Sequence, residues 1–265
     1  MSAYHAKKRL GQNFLKSADI IRQIVVLIDP GEGQRIVEIG PGRGALSLPI
    51  AESGARLWAI EFDRDQIGYL ERLLRKFDNA RVLNTDFLAF EPTAEHLPDF
   101  KLVGNLPFNI TSPVVDWCCS HSRHIQYAVF MVQKEVAARL SASPGNKNWS
   151  PLSIMVQLQF EVEYCFDVPS EAFHPPPKVD GAVIKLTPLE DTIAATPEFE
   201  RVVRTSFRHR RKFLTNNLVP DIIPETELAV EILETILLSR NCRAEQITIE
   251  QFFTLTEELD RRKLL

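Results

Sequence analysis

Four consecutive residues after a predicted strand have the chemistry to direct group transfer onto an aromatic amine: Asn105, Leu106, Pro107 and Phe108. The amine of an adenine is a poor nucleophile, because its lone pair is delocalised into the ring. The Asn105 side-chain oxygen and the Leu106 carbonyl can accept its hydrogens, and Pro107 keeps Leu106 extended. Phe108 offers a flat face on which a flipped base can stack. We therefore predict methyl transfer to an adenine amine that depends on positioning and needs no general base or metal.

A second group of residues could hold the methyl donor. Gly40 and Gly42 lie between a strand and a helix, where glycines let the backbone approach a ligand and the helix presents unpaired N–H groups. Glu61 and Asp86 end the next two strands, so their carboxylates can accept hydrogen bonds from a ribose and an adenine. The GxGxG spacing disfavours a nicotinamide dehydrogenase, and Glu38 suits a cationic cofactor that carries an amino acid. Together these residues predict S-adenosylmethionine as the cofactor.

The elements that position these residues follow a regular alternation of strand and helix patterns. Short apolar strands are predicted at residues 35–39, 56–62, 80–85, 101–104 and 125–132. A helix capped by Ser17 precedes them, and further helices are predicted up to residue 50, at 63–77, from 111 and at 134–140. This alternation predicts an α/β, Rossmann-like methyltransferase fold with a mostly parallel sheet and helices on both faces.

The pattern changes after residue 150. A helix is predicted at residues 152–160 and strands at 162–168 and 182–186, and beyond Pro188 the chain carries only three or four helix patterns. We therefore place a domain boundary near residue 188. Residues 1–188 are expected to form the catalytic domain that binds S-adenosylmethionine, and residues 189–265 a smaller all-helical domain that docks RNA.

The net charge of −4 is a poor guide to the partner, because it averages two unlike parts of the chain. Taken alone, it argues weakly against a nucleic acid. Residues 201–217, however, carry six positive charges and no acid, so the remainder of the chain sums to −10. A solvated helix face would explain this run. We predict instead an RNA-binding helix that neutralises phosphates with Arg208, Arg210, Arg211 and Lys212.

Neither a metal site nor a membrane segment is expected from the residue pattern. The four cysteines show no CxxC spacing, and the six histidines form no HxxxH or His/Cys cluster. The longest aliphatic run near the N-terminus, residues 24–28, is too short for a membrane span, and we see no secretory signal. We therefore expect a cytoplasmic protein with reduced thiols and no membrane partner.

Beyond these separate motifs, nearly the whole chain resembles the ribosomal RNA adenine N6,N6-dimethyltransferases, specifically the bacterial small-subunit (16S) family. The resemblance is carried by residues 11–15, 38–44, 61, 86, 105–110, 133–137, 173–180 and 207–218. It implies dimethylation of two adjacent adenines near the 3′ end of small-subunit RNA, within a pre-assembled small subunit and by a monomer. The acidic remainder of the chain fits this expectation, since it predicts weak binding to free RNA.

The resemblance also implies roles for individual residues. Phe173 is expected to form a second aromatic wall for the target base, with residues 175–177 shaping a rigid loop beside it. The cofactor contacts that it implies are Asn13, Leu15, Gly40, Glu61, Asp86 and Asn105. Three places depart from the usual pattern: Phe108 replaces a tyrosine, residues 149–151 (Trp-Ser-Pro) replace a Gly-Arg pair, and Gly181 replaces a serine.

Two other functions remain open from the sequence. One is methylation of adenine in large-subunit RNA that confers antibiotic resistance, although the 173–180 loop and the long helical C-terminus favour the small subunit. The other is a non-catalytic RNA- or transcription-binding protein that keeps the fold. The presence of Glu61, Asp86 and Asn105 argues against the second, because a pure binding protein has no need of them.

Overall fold

A seven-stranded sheet organises the part of the chain that contains the predicted motifs. In the computed structural model, which describes residues 13–107 and 110–265, the strands are β1 (Phe14–Leu15), β2 (Arg35–Ile39), β3 (Arg56–Ile60), β4 (Ala80–Leu83), β5 (Phe100–Asn105), β6 (Ile125–Gln133), β7 (Phe160–Val168), β8 (Phe173–His174) and β9 (Gly181–Pro188). The large sheet has the order β4-β3-β2-β5-β6-β9-β7, and β1 pairs with β8 in a separate two-stranded sheet. Neighbours from β4 to β6 are parallel, whereas β9 runs antiparallel to β6 and β7. The predicted mostly parallel sheet is confirmed.

Helices connect these strands at the predicted places. They are α1 (Ala18–Ile28), α2 (Ser47–Glu52), α3 (Arg64–Leu74), α4 (Thr111–Ser120) and α5 (Lys134–Leu140). The predicted cap is confirmed, since the Ser17 side chain accepts a hydrogen bond from Ile20 N. Asp63 caps α3 in the same way, by accepting from Asp65 N. Because Asp63 comes two residues after Glu61, the helix start and the acidic strand end form one short connection.

A buried lysine fixes the end of α1 against the sheet. Lys101, on β5, is only 4% exposed, and its Nζ donates to the carbonyl oxygens of Ile28 (3.0 Å) and Asp29 (2.6 Å). Tyr127 on β6 donates its hydroxyl to the same Ile28 oxygen at 2.7 Å. A cation at a helix C-terminus satisfies carbonyls that have no partner within the helix. These contacts hold α1, and therefore the chain entering it from β1, in one place.

The chain divides into two compact units, and the second one differs from the domain predicted at residues 189–265. The first unit comprises the described residues up to Ala137 together with Phe160–Pro188, and the second comprises Ala138–Gln159 together with Leu189–Leu265. The second unit contains α6 (Pro151–Gln157), α7 (Pro197–Ser206), α8 (Leu214–Leu218), α9 (Thr226–Thr235) and α10 (Ile249–Arg261). A boundary between the units does fall at residue 188, but the earlier segment Ala138–Gln159 also belongs to the second unit.

Apolar packing around Trp149 explains why this earlier segment belongs to the second unit. Its side chain is 1% exposed and lies in one buried cluster with Phe199 and Phe252. Its indole Nε1 also donates to the Ile247 carbonyl at 2.9 Å. Ser150 then caps α6 through reciprocal hydrogen bonds with Ser153. The Trp-Ser-Pro departure from the family pattern is therefore part of the core and helix start of the second unit.

Helix α6 is also shorter than predicted, because it ends at Gln157 and β7 begins at Phe160. Phe160 pairs with Pro188 at the end of β9, so the sheet takes over the residues that a helix pattern would continue. Gly181 begins β9, where an added Cβ would lie 3.3 Å from the Val132 oxygen. A larger side chain at residue 181 would therefore press on the neighbouring strand.

Candidate active site

A cavity of about 260 Å³ lies at the carboxyl ends of the parallel strands in the first unit. In open parallel sheets, ligands bind at this edge. All of the predicted catalytic and cofactor residues that the structure describes line this cavity: Asn13, Leu15, Gly40, Gly42, Glu61, Asp86, Asn105, Leu106, Pro107 and Phe173. The remaining predicted residue, Phe108, lies outside the described residues.

The loop after β2 exposes its backbone to the cavity. Gly40 and Gly42 have φ values of +60° and +54°, a left-handed conformation that other residues rarely adopt. A Cβ added at Gly40 would meet no described atom within 4 Å, so this face of the loop is open. The loop is held from behind, where Gly40 N donates to the Ile60 oxygen at 2.9 Å. A ligand can therefore approach the peptide groups of this loop closely.

Glu61 is fixed by the backbone on both sides of the cavity. Its Oε1 accepts from Asp63 N at 2.8 Å, and its Oε2 accepts from Gly42 N at 3.1 Å. Burial raises the pKa of the Glu61 carboxyl above its ordinary value, while these two N–H groups lower it. Each carboxylate oxygen keeps a second lone pair, so the group can still accept hydrogen bonds from ligand hydroxyls. The carboxylate is thus held in place at the cavity with acceptor capacity left for a ligand, and its contact with a ribose stays a prediction.

Glu38 adds a second buried carboxyl to the same cavity. It is 2% exposed, and the Ser47 hydroxyl donates to its Oε2 at 2.5 Å. Burial raises its pKa to about 8; the hydrogen bond from Ser47 opposes this rise, and the charge of Glu61 adds to it. A cation bound nearby would favour the ionised carboxylate. Two buried acids therefore make this cavity suited to a positively charged ligand.

Asp86 and the two residues that follow it form a short turn at the cavity rim. Its Oδ1 accepts from Leu88 N at 3.0 Å and caps the 3₁₀ turn Phe87–Ala89. Phe62, which follows Glu61, is 63% exposed and lines the cavity from the end of the neighbouring strand β3. Sequence reasoning did not single out Phe62, although its place directly after an acidic strand end was a usable signal. An aromatic ring there can pack against a flat ligand.

Asn105 presents its oxygen rather than its nitrogen as the available group. The amide Nδ2 donates to the main-chain oxygen of Asn13 at 2.9 Å. Only the nitrogen of an amide can donate to a carbonyl, so this contact assigns Oδ1 as the acceptor. Leu106 N donates to the Met131 oxygen at 3.0 Å, and Ile110 N donates to the Pro107 oxygen at 3.0 Å. The motif is therefore held between β6 and the start of α4.

Phe173 reaches the cavity through a strand pair that the sequence did not predict. Leu15 of β1 pairs with Phe173 of β8, and the N–H groups of Lys16 and Ser17 both donate to the Ala172 oxygen. Phe173 is 2% exposed and lines the cavity. It lines the same cavity as Asn105 and Leu106, and its role as a wall for a base stays a prediction.

The predicted basic helix is wrong in one respect, because its four cations lie in a turn and not on a helix. Helix α7 ends at Ser206, and α8 begins only at Leu214. The side chain of Asn217 binds both the N–H and the carbonyl of His209, which stabilises the intervening turn in place of helical hydrogen bonds. The turn contains Arg208, Arg210, Arg211 and Lys212.

The four cations of this turn have different surroundings. Arg208 forms an ion pair with Asp221, and Arg210 donates to the main-chain oxygens of Lys147 and Trp149. Arg211 and Lys212 are exposed, and within the described part of the chain their side chains form no ion pair. Among the four, Arg211 and Lys212 are therefore the cations available to an external phosphate.

Comparison with known proteins shows the family of this chain. Residues 3–261 match the model of the family described as ribosomal RNA adenine dimethylase. The chain belongs to this family. It is 42% identical over 264 residues to ribosomal RNA small subunit methyltransferase A of Pseudomonas aeruginosa, covering 97% of this chain and 95% of the relative. The protein of the same name from Saccharophagus degradans is 40% identical, with 98% and 96% covered.

Two solved structures share the architecture over 94% of this chain. A dimethyladenosine transferase from Plasmodium falciparum superimposes with a TM-score of 0.79 at 26% identity and is 98% covered. The 23S rRNA methyltransferase ErmE superimposes with a TM-score of 0.72 at 28% identity and is 100% covered. These matches confirm the predicted methyltransferase fold.

Family membership also confirms the predicted enzyme class, its ribosomal RNA substrate class and S-adenosylmethionine as its cofactor. The cavity fits this cofactor, because it combines an open glycine loop, an anchored carboxylate at Glu61 and a second buried acid at Glu38. Within the described residues, no group of three or more His, Cys, Asp or Glu side chains could hold a metal. None of the helices in the described ranges has both the length and the apolar composition needed to cross a membrane.

Replacement of Asn105 tests the assignment of its oxygen. Asn105→Ala should lower kcat on the order of 100- to 1000-fold, the range seen when one well-placed polar group is lost from a transition state. The dissociation constant for S-adenosylhomocysteine, measured by titration calorimetry, should rise only a few-fold. Asn241→Ala, at an exposed position of the second unit, is the matched control. Unchanged turnover in Asn105→Ala would refute the role.

The buried carboxyl of Glu38 predicts a pH dependence of cofactor affinity. Because its pKa is about 8, the Glu38 carboxyl is protonated at neutral pH in the protein without cofactor. Because a bound cation favours the ionised form, affinity should rise as the pH is raised toward 8 and level off above it. Calorimetry in buffers of different ionisation enthalpy should detect the released proton. Glu38→Gln should remove both effects, and Glu52→Gln, on the surface of α2, should keep them.

Proposed function

We propose that this protein dimethylates N6 of two adjacent adenines near the 3′ end of small-subunit (16S) ribosomal RNA. The observation that carries the proposal is the meeting of Asn105 Oδ1 and the Leu106–Pro107 peptide with the glycine loop in one cavity. The two bacterial relatives named small subunit methyltransferase A, which span nearly all of this chain, support the choice of RNA.

The residues of the motif would prepare the amine for attack. When bound, S-adenosylmethionine supplies an electrophilic methyl group on a sulfonium. In the first transfer, Asn105 Oδ1 and the Leu106 carbonyl would accept the two hydrogens of the adenine amine and so turn its nitrogen toward that methyl group. In the second transfer one hydrogen remains, and one of the two acceptors would bind it. No described residue has to remove a proton first, because the methylated amine can lose its proton to solvent afterwards. Positioning and exclusion of water therefore account for the catalysis.

The target base would be held by aromatic faces. Phe173 is buried in the cavity wall and is fixed through the pairing of β8 with β1. Phe108 follows Pro107 directly in the chain and is expected to provide the opposite face. A base extruded from its helix and stacked in this way leaves its amine accessible to Asn105. Stacking on Phe108 needs no hydroxyl, so a tyrosine at this position is not required for it.

Docking of the RNA would depend on the exposed cations of the second unit. Arg211 and Lys212 are available for phosphates, whereas the rest of the chain outside residues 201–217 carries a net charge of −10. Non-specific attraction to free RNA is then weak. We propose that the enzyme acts in the cytoplasm as a monomer on a pre-assembled small subunit, whose shape supplies the remaining specificity.

Methylation of large-subunit RNA is the second candidate, because ErmE shares the fold at 28% identity. The two activities are separated by supplying purified protein with labelled S-adenosylmethionine and either small or large subunits that lack the modification. We expect label only in small-subunit RNA, as N6,N6-dimethyladenosine at two adjacent positions. Label in large-subunit RNA, or in neither RNA, would contradict the proposal.

The same assay tests the two available cations. Arg211→Gln combined with Lys212→Gln should raise KM for the small subunit and reduce the slope of log affinity against log salt by about 1 to 2. Arg240→Gln combined with Lys263→Gln changes the charge equally at two other exposed positions and should leave both values unchanged. An unaltered slope in the first variant would mean that Arg211 and Lys212 are solvated surface residues.

A further inference from the structure

Arg43 contacts two aromatic rings that belong to different parts of the first unit. It follows Gly42 in the cofactor loop, and its guanidinium carbon is 5.6 Å from the ring centre of Phe14 and 5.1 Å from that of Tyr69. Phe14 is in β1, and Tyr69 is in α3. A cation within about 6 Å of a ring centre is attracted by the negative face of the ring. One side chain therefore connects the strand β1, the glycine loop and the helix α3.

The ring of Phe14 also lies directly on the glycine loop. A Cβ added at Gly42 would be 3.1 Å from two carbons of this ring, which is closer than ordinary van der Waals contact. A side chain at residue 42 would push Phe14 away from the loop, and the φ of +54° at this residue already favours glycine. Gly42 thus serves both the turn and the close contact with β1.

The segment that carries Phe14 reaches the other side of the cavity as well. The Asn13 oxygen accepts from Asn105 Nδ2, and Leu15 pairs with Phe173. Asn13, Phe14 and Leu15 all line the cavity. We call residues 13–15 the arm. The arm forms a cavity wall that contacts the cofactor loop at Phe14 and the catalytic motif at Asn13.

We propose that Arg43 is a positioning residue that clasps the arm over the cavity for S-adenosylmethionine. Through its contacts with Phe14 and Tyr69, the guanidinium holds the arm against the loop, and the closed arm retains the cofactor. A planar guanidinium presents two faces, so one Arg43 can contact both rings at once. The proposal rests on the cofactor alone and is independent of which RNA the enzyme modifies.

A clasp of this strength also fits repeated cofactor exchange. Each adenine receives two methyl groups, so a used cofactor must leave and a new one must bind between the transfers. Contacts between a cation and a ring are individually weak, and they open more easily than a buried apolar lock. The contact between Arg43 and Phe14 can therefore form during each transfer and break after it.

Cofactor affinity measured without RNA tests the clasp. Arg43→Met keeps the length of the side chain but removes its charge, and it should raise the dissociation constant for S-adenosylhomocysteine about five- to thirtyfold, as expected for two cation–ring contacts. Tyr69→Leu should have an effect in the same direction. In the double variant, the dissociation constant should rise by less than the product of the two single fold-increases, because the two substitutions remove the same interaction. Arg43→Lys and Tyr69→Phe, which keep the charge and the ring, should recover most of the affinity.

Two further readouts separate positioning from general stability. In steady-state assays, KM for S-adenosylmethionine should rise in Arg43→Met while kcat changes less than about threefold, since saturating cofactor closes the arm. Without cofactor, hydrogen exchange at the amides of Lys16 and Ser17, which bind the Ala172 oxygen, should be faster in Arg43→Met than in the unmodified protein. Arg72→Met, at an exposed position of α3, is the control and should match the unmodified protein in both.

Three results would overturn the clasp. Unchanged affinity in Arg43→Met would show that the contacts do not influence the cofactor. If Arg43→Met binds S-adenosylhomocysteine more weakly but Tyr69→Leu does not, Arg43 contacts the cofactor carboxylate directly and does not act through the rings. A lower melting temperature with unchanged KM would make the role purely structural. A failure to methylate small-subunit RNA would leave the affinities for S-adenosylhomocysteine and the hydrogen-exchange rates unaffected, because neither measurement uses RNA.

Discussion

The arrangement of the site depends on the register of three parallel strands. Ile39 at the end of β2 pairs with Ile60 of β3 on one side and with Gly104 of β5 on the other. The residues that follow, Gly40, Glu61 and Asn105, therefore emerge side by side at one edge. Gly104 is required for this close approach, because a Cβ there would lie 3.0 Å from the Ile39 oxygen. A larger residue would move β5, and with it Asn105, away from the cofactor loop.

That register places two kinds of group in one cavity: acidic side chains that favour a cation, and neutral acceptors that suit an uncharged amine. Glu38 and Glu61 are buried carboxyls whose pKa values are raised by burial, and they favour a cationic ligand. Asn105 and Leu106 offer neutral acceptors a short distance away, where an uncharged amine has to be held. Anchoring by backbone N–H groups and by the Asn13 oxygen keeps these groups in place before any ligand binds. Because these acceptor groups are already oriented, less entropy is lost when the reactants are aligned, and the barrier to methyl transfer is lower.

Local patterns were sufficient to predict most of this. Short apolar strands, followed by Gly, Glu, Asp or Asn, predict both the sheet and the residues at its edge. The cap at Ser17 and the helix at Lys134–Leu140 follow from local patterns of the same kind. Contacts between distant residues were not predictable. Trp149 joins the second unit by packing with Phe199 and Phe252, and its indole donates to the Ile247 carbonyl, which lies 98 residues further along the chain. The basic turn depends on Asn217, and the Arg43 contacts depend on Phe14 and Tyr69.

The most direct test of the account is the structure of the enzyme bound to S-adenosylhomocysteine and a small subunit that lacks the modification. We expect the target adenine amine within hydrogen-bond distance of both Asn105 Oδ1 and the Leu106 carbonyl, with the Asn13 contact to Asn105 Nδ2 retained. The base should stack on Phe173. An amine that binds to other groups, or an Asn105 amide that turns its nitrogen toward the adenine, would contradict the account.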